Sequence, residues 1–195
     1  IRVLVGSRGR GEVSKSQVLI AMGNDRRSLT AAFQYLIMGT IGATFILIGI
    51  GLLYALTGTL NMLDLAERIP EVANTRTARA GFAFLTVGIG LKIALFPLHL
   101  WLPNAYAYAP SAVSAFLAAT ATKVAVYVLL RFIFSVFGKD FALDTMPLAL
   151  GLAILGSSAV IFASAIAIFQ DNMKRMLAYS SVAQIGYLIL GVSLV

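Results

Sequence analysis

Three stretches of the chain carry no charged side chain: Ser28 to Leu63, Thr145 to Gln170, and Met176 to Val195. Each has room for the roughly 20 mostly apolar residues that cross a bilayer as a helix. Between the first two, apolar sequence resumes near residue 80 and runs to Phe137. The pattern predicts helices near 29–57, 80–106, 111–137, 147–170 and 176–195. The second is broken at 96–97, because Pro97 lacks an amide hydrogen and its ring clashes with the preceding turn. Pro110 precedes the third, at a helix start where proline is tolerated. The fold class expected is all-α: a polytopic transmembrane bundle of about five helices, one of them Pro-broken. Residues 58–79 form a charged connection with room for a short surface helix, while GKDFALDTMP and DNMKR read as loop and turn. Residues 1–28 read as an irregular or displaced segment. Gly6 and Gly11 have the spacing of a phosphate loop but lack the GK[ST] that completes one.

Composition sharpens this picture. The 195 residues are 59% hydrophobic and 12% charged, with mean hydropathy +0.91. The net charge of +7 lies mainly between apolar runs, where it meets lipid headgroups rather than a nucleic acid. The expected surroundings are therefore a lipid bilayer, with no nucleic-acid partner. Zero cysteines and one histidine exclude a disulfide framework, a thiol nucleophile and a His-rich metal site. No nucleotide motif or Ser-His-Asp pattern is present, so neither a cofactor nor a soluble-type catalytic site is expected. The chain starts without Met and its final apolar run has no polar tail, which reads as an internal fragment. Arg26, Arg27, Lys174 and Arg175 fall on one side, and Arg68, Arg76, Arg79 and Lys139 on the other. That tally does not settle orientation.

The candidate chemistry lies between Lys92 and Lys123. An ammonium near the bilayer centre costs roughly 2.5–3.5 kcal/mol on insertion scales and is tolerated where it faces protein or internal water. Both lysines fall near mid-span, on helices that a short turn makes antiparallel neighbours. His99 follows Lys92 by seven residues, the same face of a regular helix, and its ring can pass a proton near neutral pH. Lys92, His99 and Lys123, in that spatial order, form the expected proton relay. The break at Pro97 would free carbonyls for water or an ion. Tyr106, Thr120 and Tyr127 could supply hydroxyls for bridging waters, although Trp101, Tyr106 and Tyr108 also read as interface-belt aromatics. The bland alternatives are a packed histidine and lysines paired with an acidic residue on another helix.

These residues form a pattern: Lys92, then PLHLWLPNA from Pro97 to Ala105, APSAVS from Ala109 to Ser114, then Lys123. It resembles the antiporter-like subunits shared by multisubunit Mrp cation/proton antiporters, respiratory complex I and membrane-bound hydrogenases. DNMKRMLAYSSVAQIG, from Asp171 to Gly186, is similar to that family's turn into its next helix. Within the family, NAYAYAPSAVSAFLAATATKVAVY looks most like the Mrp antiporter branch. The resemblance implies inverted five-helix repeats, a cytoplasmic DNMKR turn and a multi-pass place in the inner (cytoplasmic) cell membrane. It also implies protons and Na+ as transported ions, with other membrane subunits as partners. The family carries a membrane glutamate ahead of the Arg26-Arg27 turn; here Arg10 falls near that place and Glu12 is two residues out of register. Three functions remain open: a Na+/H+ antiporter subunit, a proton-pumping subunit of complex I or a hydrogenase, and a truncated non-transporting scaffold.

Overall fold

A computed structural model describes residues 19–22, 26–146 and 148–195. Gly6, Arg10, Gly11 and Glu12, with the expectations attached to them, lie outside the described residues. After a short helical stretch at 19–21 the elements are α1 (Arg26–Thr57), α2 (Met62–Val72), α3 (Arg76–Ile93), α4 (Trp101–Tyr108), α5 (Ser111–Arg131), α6 (Leu148–Ile168) and α7 (Met173–Ser193). Single π-helical turns follow α5 at Phe132–Val136 and precede α6 at Asp140–Thr145. Among the described residues, four helical segments are long and apolar enough to span a membrane: Arg26–Thr57, Ser111–Val136, Leu148–Ile168 and Met173–Ser193. The broken pair α3–α4 packs against α1, α5 and α7. The molecule is an all-helical membrane bundle.

Polar residues set the helix ends. Asn61 starts α2 by accepting the Leu63 N–H at 3.0 Å, Thr75 starts α3 through Ala78 N–H at 3.2 Å, and Asn172 starts α7 through Lys174 N–H at 2.9 Å. Each satisfies a donor that the first helical turn leaves without a partner. α2 is the surface helix for which the connection had room. It buries Leu65 and Ile69, and its Arg68 donates to Asp64 at 2.8 Å and to the Thr57 carbonyl at the end of α1 at 3.0 Å.

The long helices pack through small residues. In a bilayer, close backbone approach replaces the hydrophobic drive that lipid cannot supply between helices. A Cβ on Gly88 of α3 would lie 2.8 Å from the Gly42 carbonyl and 2.9 Å from the Ile46 amide nitrogen of α1. One on Gly49 would lie 2.9 Å from the Gly81 carbonyl. α6 and α7 repeat the device: a Cβ on Gly156 would meet the Leu190 nitrogen at 2.9 Å. Large side chains such as Leu47, Leu150, Ile154 and Ile161 point outward, as they should where the solvent is lipid.

Two apolar clusters lie inside. One stacks Phe82, Phe137 and Phe141 at the α2 end, with ring centroids 4.7 to 5.6 Å apart. The other surrounds α4, where Trp101, Leu102 and Tyr106 meet Leu117, Ala163 and Val182. The first ring cluster explains why GKDFALDTMP is more than a loop. Gly138, at φ 78°, reverses the chain after α5, and the following π-helical turn carries Phe141 back onto Phe82.

Replacing Gly88 by Ala should lower the stability of the full-length protein by about 1–3 kcal/mol, the usual cost of overpacking. Gly51→Ala, where an added Cβ meets nothing within 4 Å, should leave it unchanged. Detergent melting curves compare the two, and equal shifts would refute the close α1–α3 contact.

Candidate functional site

The sequence puts the helix break at 96–97; the structure opens it from residue 94 to residue 100. α3 stops at Ile93 because Ala94 adopts the left-handed conformation (φ 61°, ψ 44°), an unusual one for an L-residue. The Phe96–Pro97 peptide is cis. Some of the carbonyls at the break are taken by protein. Leu91 O accepts Ala94 N–H at 3.3 Å and the Trp101 indole N–H at 3.2 Å, and Gly90 O accepts Leu95 N–H at 2.9 Å. Leu98 N–H reaches Leu95 O at 2.6 Å, and Leu102 N–H reaches His99 O at 3.0 Å. The Leu91 and Gly90 carbonyls are thus bonded to protein. One expectation is corrected: Trp101 is a buried cap of the break, 7% exposed, not an interface-belt residue.

Lys92 occupies the last turn of α3. A helix C-terminus carries partial negative charge, worth about 0.3–1 kcal/mol to a nearby cation and up to about 2 when partly buried. The break thus sets an electronegative helix end beside the Lys92 ammonium. Lys92 lines two cavities against α1 and α5. One, of about 90 Å³, also touches Tyr35, Gly39, Trp101, Ala121 and Ala125. The other, of about 610 Å³, reaches Leu19, Ile46, Phe116, Thr120 and Val128. Neither cavity has an Asp or Glu in its lining, so among the described residues no carboxylate there neutralises Lys92.

Lys123 is exposed and donates to the carbonyl of Ala118 on its own helix at 2.5 Å. Neither Lys92 cavity includes it among its lining residues. Thr120, one turn before Lys123, does line the larger cavity, and its hydroxyl bonds back to Phe116 O at 2.8 Å. Tyr127 is exposed, one turn further along α5, and its hydroxyl accepts from Arg131 at 3.5 Å.

His99 is 4% exposed and lines neither Lys92 cavity. Its ring stacks on Phe96 at 5.1 Å, and Phe96 stacks on Phe162 of α6 at 5.7 Å. Tyr179 of α7 meets its edge at 6.2 Å. The Pro97 backbone lies close to the ring, but His99 Nδ1 is buried without closing a hydrogen bond. His99 thus packs toward α6 and α7, away from the cavities that Lys92 lines. Residues 94–100 are not helical, so the seven-residue spacing does not preserve the face.

Tyr106 is also buried, at 5% exposure, rather than in a belt. Its hydroxyl and that of fully buried Thr122 on α5 face each other without closing a hydrogen bond. Ser114 clamps α5 to the end of α4, its hydroxyl donating to Tyr106 O at 2.7 Å. Thr122, Ser114 and the Tyr35–Trp101 edge contact at 5.2 Å are not foreseen from the sequence. Their one available signal is a polar or aromatic group in an otherwise apolar helix.

Residues 13–195 match the family model described as NADH:quinone oxidoreductase/Mrp antiporter, transmembrane region. NADH-quinone oxidoreductase subunit N of Desulforudis audaxviator (strain MP104C) is 47% identical over 175 residues, which are 90% of this chain and 34% of that protein. The structure of the membrane-bound sulfane sulfur reductase, an archaeal respiratory membrane complex, contains a chain that superposes with TM-score 0.83 at 32% identity, covering 93% of this chain and 36% of its own. A chain of the Mrp complex from Dietzia sp. DQ12-45-1b gives TM-score 0.80 at 28% identity, covering 92% and 33%. The chain spans about a third of the length of these relatives. With the bundle, the broken helix and the two lysines in place, it belongs to the NADH:quinone oxidoreductase/Mrp antiporter transmembrane family.

Proposed function

We propose that this chain is the proton-translocating portion of a monovalent cation (Na+)/proton antiporter subunit. It would work in the inner (cytoplasmic) cell membrane beside other membrane subunits. The observation that carries the reading is Lys92: an ammonium in the last turn of a broken half-helix, lining about 610 Å³ of cavity against α5 with no carboxylate in that lining. An intramembrane ionisable group beside such a space is suited to proton transfer, and the cavity has room for the water that would carry the proton. Lys123 is the next carrier along α5, reached by water held at Thr120. His99 serves a later step toward α6 and α7, where its unpartnered Nδ1 can take up or release a proton. Tyr106 with Thr122 offers a buried hydroxyl pair beside α5, and Tyr127 tethers Arg131.

A second reading, the corresponding subunit of a proton-pumping NADH:quinone oxidoreductase, is favoured by the 47% identity to subunit N. The two differ in what drives the protons. In proteoliposomes holding the complete complex, an imposed Na+ gradient should move protons without NADH or quinone. Proton movement only during quinone reduction would establish the second reading instead.

Lys92→Arg tests whether the charge must titrate. Arginine keeps the cation but does not deprotonate in proteins, so proton flux should fall to about a tenth or less while the complex still assembles. Flux near wild type would make Lys92 a fixed structural charge. For His99, Phe keeps the stack on Phe96 and Gln keeps a polar group. Transport should follow wild type > Gln > Phe at about pH 7, where an ordinary histidine titrates. Phe as active as wild type would leave His99 a packing residue.

A further inference from the structure

The end of the bundle that gathers Arg26, Arg27, Lys174 and Arg175 carries two adjoining cavities that the proton path does not use. The first, of about 290 Å³, is lined by Arg26, Arg27 and Thr30 of α1 with Asn104 and Tyr108 of α4. The second, of about 410 Å³, runs inward past Ile37, Met38, Leu100 and Trp101 and carries Arg175 and Tyr179 of α7. Gln34 and Asn104 line both, so the two adjoin along one groove of the surface. A polar relay lies between them: Arg175 donates to Asn104 Oδ1 at 3.3 Å, and Asn104 Nδ2 donates to Gln34 Oε1 at 3.1 Å. The Arg175 Nε–H is buried and donates to nothing. Among the described residues, neither cavity has an Asp or Glu in its lining, although Arg26 and Arg27 line the first and Arg175 the second.

We propose that this groove binds an anionic phospholipid, its phosphate between Arg26, Arg27 and Arg175 and its acyl chain along Ile37, Met38 and Leu100. The shape and the order of side chains fit one amphiphile. From Arg26 to Ile37 is about 16 Å along α1, the distance from a headgroup to the upper part of a chain. Arginine forks bind phosphate oxygens in pairs, and Arg26 and Arg27 on one cavity with Arg175 on the other supply such forks. Basic pockets between membrane helices are suited to anionic headgroups. Leu100 is 67% exposed and Ile37 39%, so the apolar end is open to an acyl chain while the cations sit at the helix ends. A free phosphate would satisfy the arginines but leave the apolar end without a role. Occupancy would tie α4, which follows the break, to α1 and α7.

The test uses the full-length subunit in its complex, stripped of lipid and titrated by native mass spectrometry. The probes are dioleoyl phosphatidylglycerol and dioleoyl phosphatidylcholine, with glycerol phosphate as a soluble competitor. Phosphatidylglycerol should bind in preference, and Arg27→Gln and Arg175→Gln should each weaken it about fivefold without affecting phosphatidylcholine. Arg76→Gln, at the opposite end, should change neither. Arg27 is exposed in the first turn of α1, so its variant reports on binding even if Arg175→Gln disturbs the packing of α7. Equal retention of the two lipids, or unchanged phosphatidylglycerol affinity in Arg27→Gln, would overturn the proposal. Full displacement by glycerol phosphate would make this a soluble-anion site, which also overturns it.

Discussion

Lipid cannot hydrogen-bond a peptide group, so a helix interrupted at membrane depth must find partners inside the protein. The rest of this structure is arranged around that constraint. α3 ends where Ala94 turns left-handed, and the indole of Trp101 reaches back to the Leu91 carbonyl that the break would otherwise strand. Tyr35 of α1 packs against the Trp101 ring, and Ser114 of α5 holds the far end of α4 through Tyr106 O. The eight-residue α4 is too short to be stable alone; its neighbouring helices hold it. Remove the break and Lys92 would lie in mid-helix, with no electronegative helix end beside it.

The close packing of α1 on α3 serves the same purpose. Glycines at 42, 49, 81 and 88 bring the two backbones together and fix the rail from which Lys92 projects. Such contacts depend on the absence of side chains, so they stiffen the scaffold without adding polar groups to the span. α5 is bound less tightly. Cavities of about 90 and 610 Å³ lie between it and Lys92. The close α1–α3 pair thus faces open space on the α5 side, which is the side on which the proposed function needs room for water.

The fold class and the family are legible in the sequence because both rest on linear features. Charge-free runs as long as a bilayer is thick mark spans, and the sequence from Pro97 to Ser114 marks the family. Three-dimensional placement is far less legible. These helices are apolar on nearly every face, so periodicity does not say which face meets which neighbour. His99 shows the consequence. A seven-residue spacing puts it beneath Lys92 only if the helix is continuous; the non-helical run from residue 94 to residue 100 turns it onto Phe96 and Tyr179 instead. Trp101 and Tyr106 escape the sequence for a related reason, since an aromatic beside a proline looks the same whether it faces headgroups or caps a carbonyl. The Gln34–Asn104–Arg175 relay joins three helices through residues 70 and 71 positions apart, and no local pattern reports such a contact.

Lys123 stands in a more open place than Lys92. Its ammonium has a bond to a carbonyl of its own helix, and its side chain is otherwise exposed, flanked on α5 by Phe116, Val124 and Tyr127, which are 62%, 59% and 60% exposed. Facing hydrocarbon, that ammonium would cost roughly 2.5–3.5 kcal/mol or more, a large fraction of the net stability of an ordinary domain. The cost disappears only if protein or water covers this face of α5. Lys92 needs less cover, because residues of α1, α4 and α5 already line the cavities around it. The two lysines thus stand in different settings: one lines cavities between these helices, the other is exposed on α5. On the proposed relay, a proton passing from Lys92 to Lys123 would move from between the helices to the exposed face of α5.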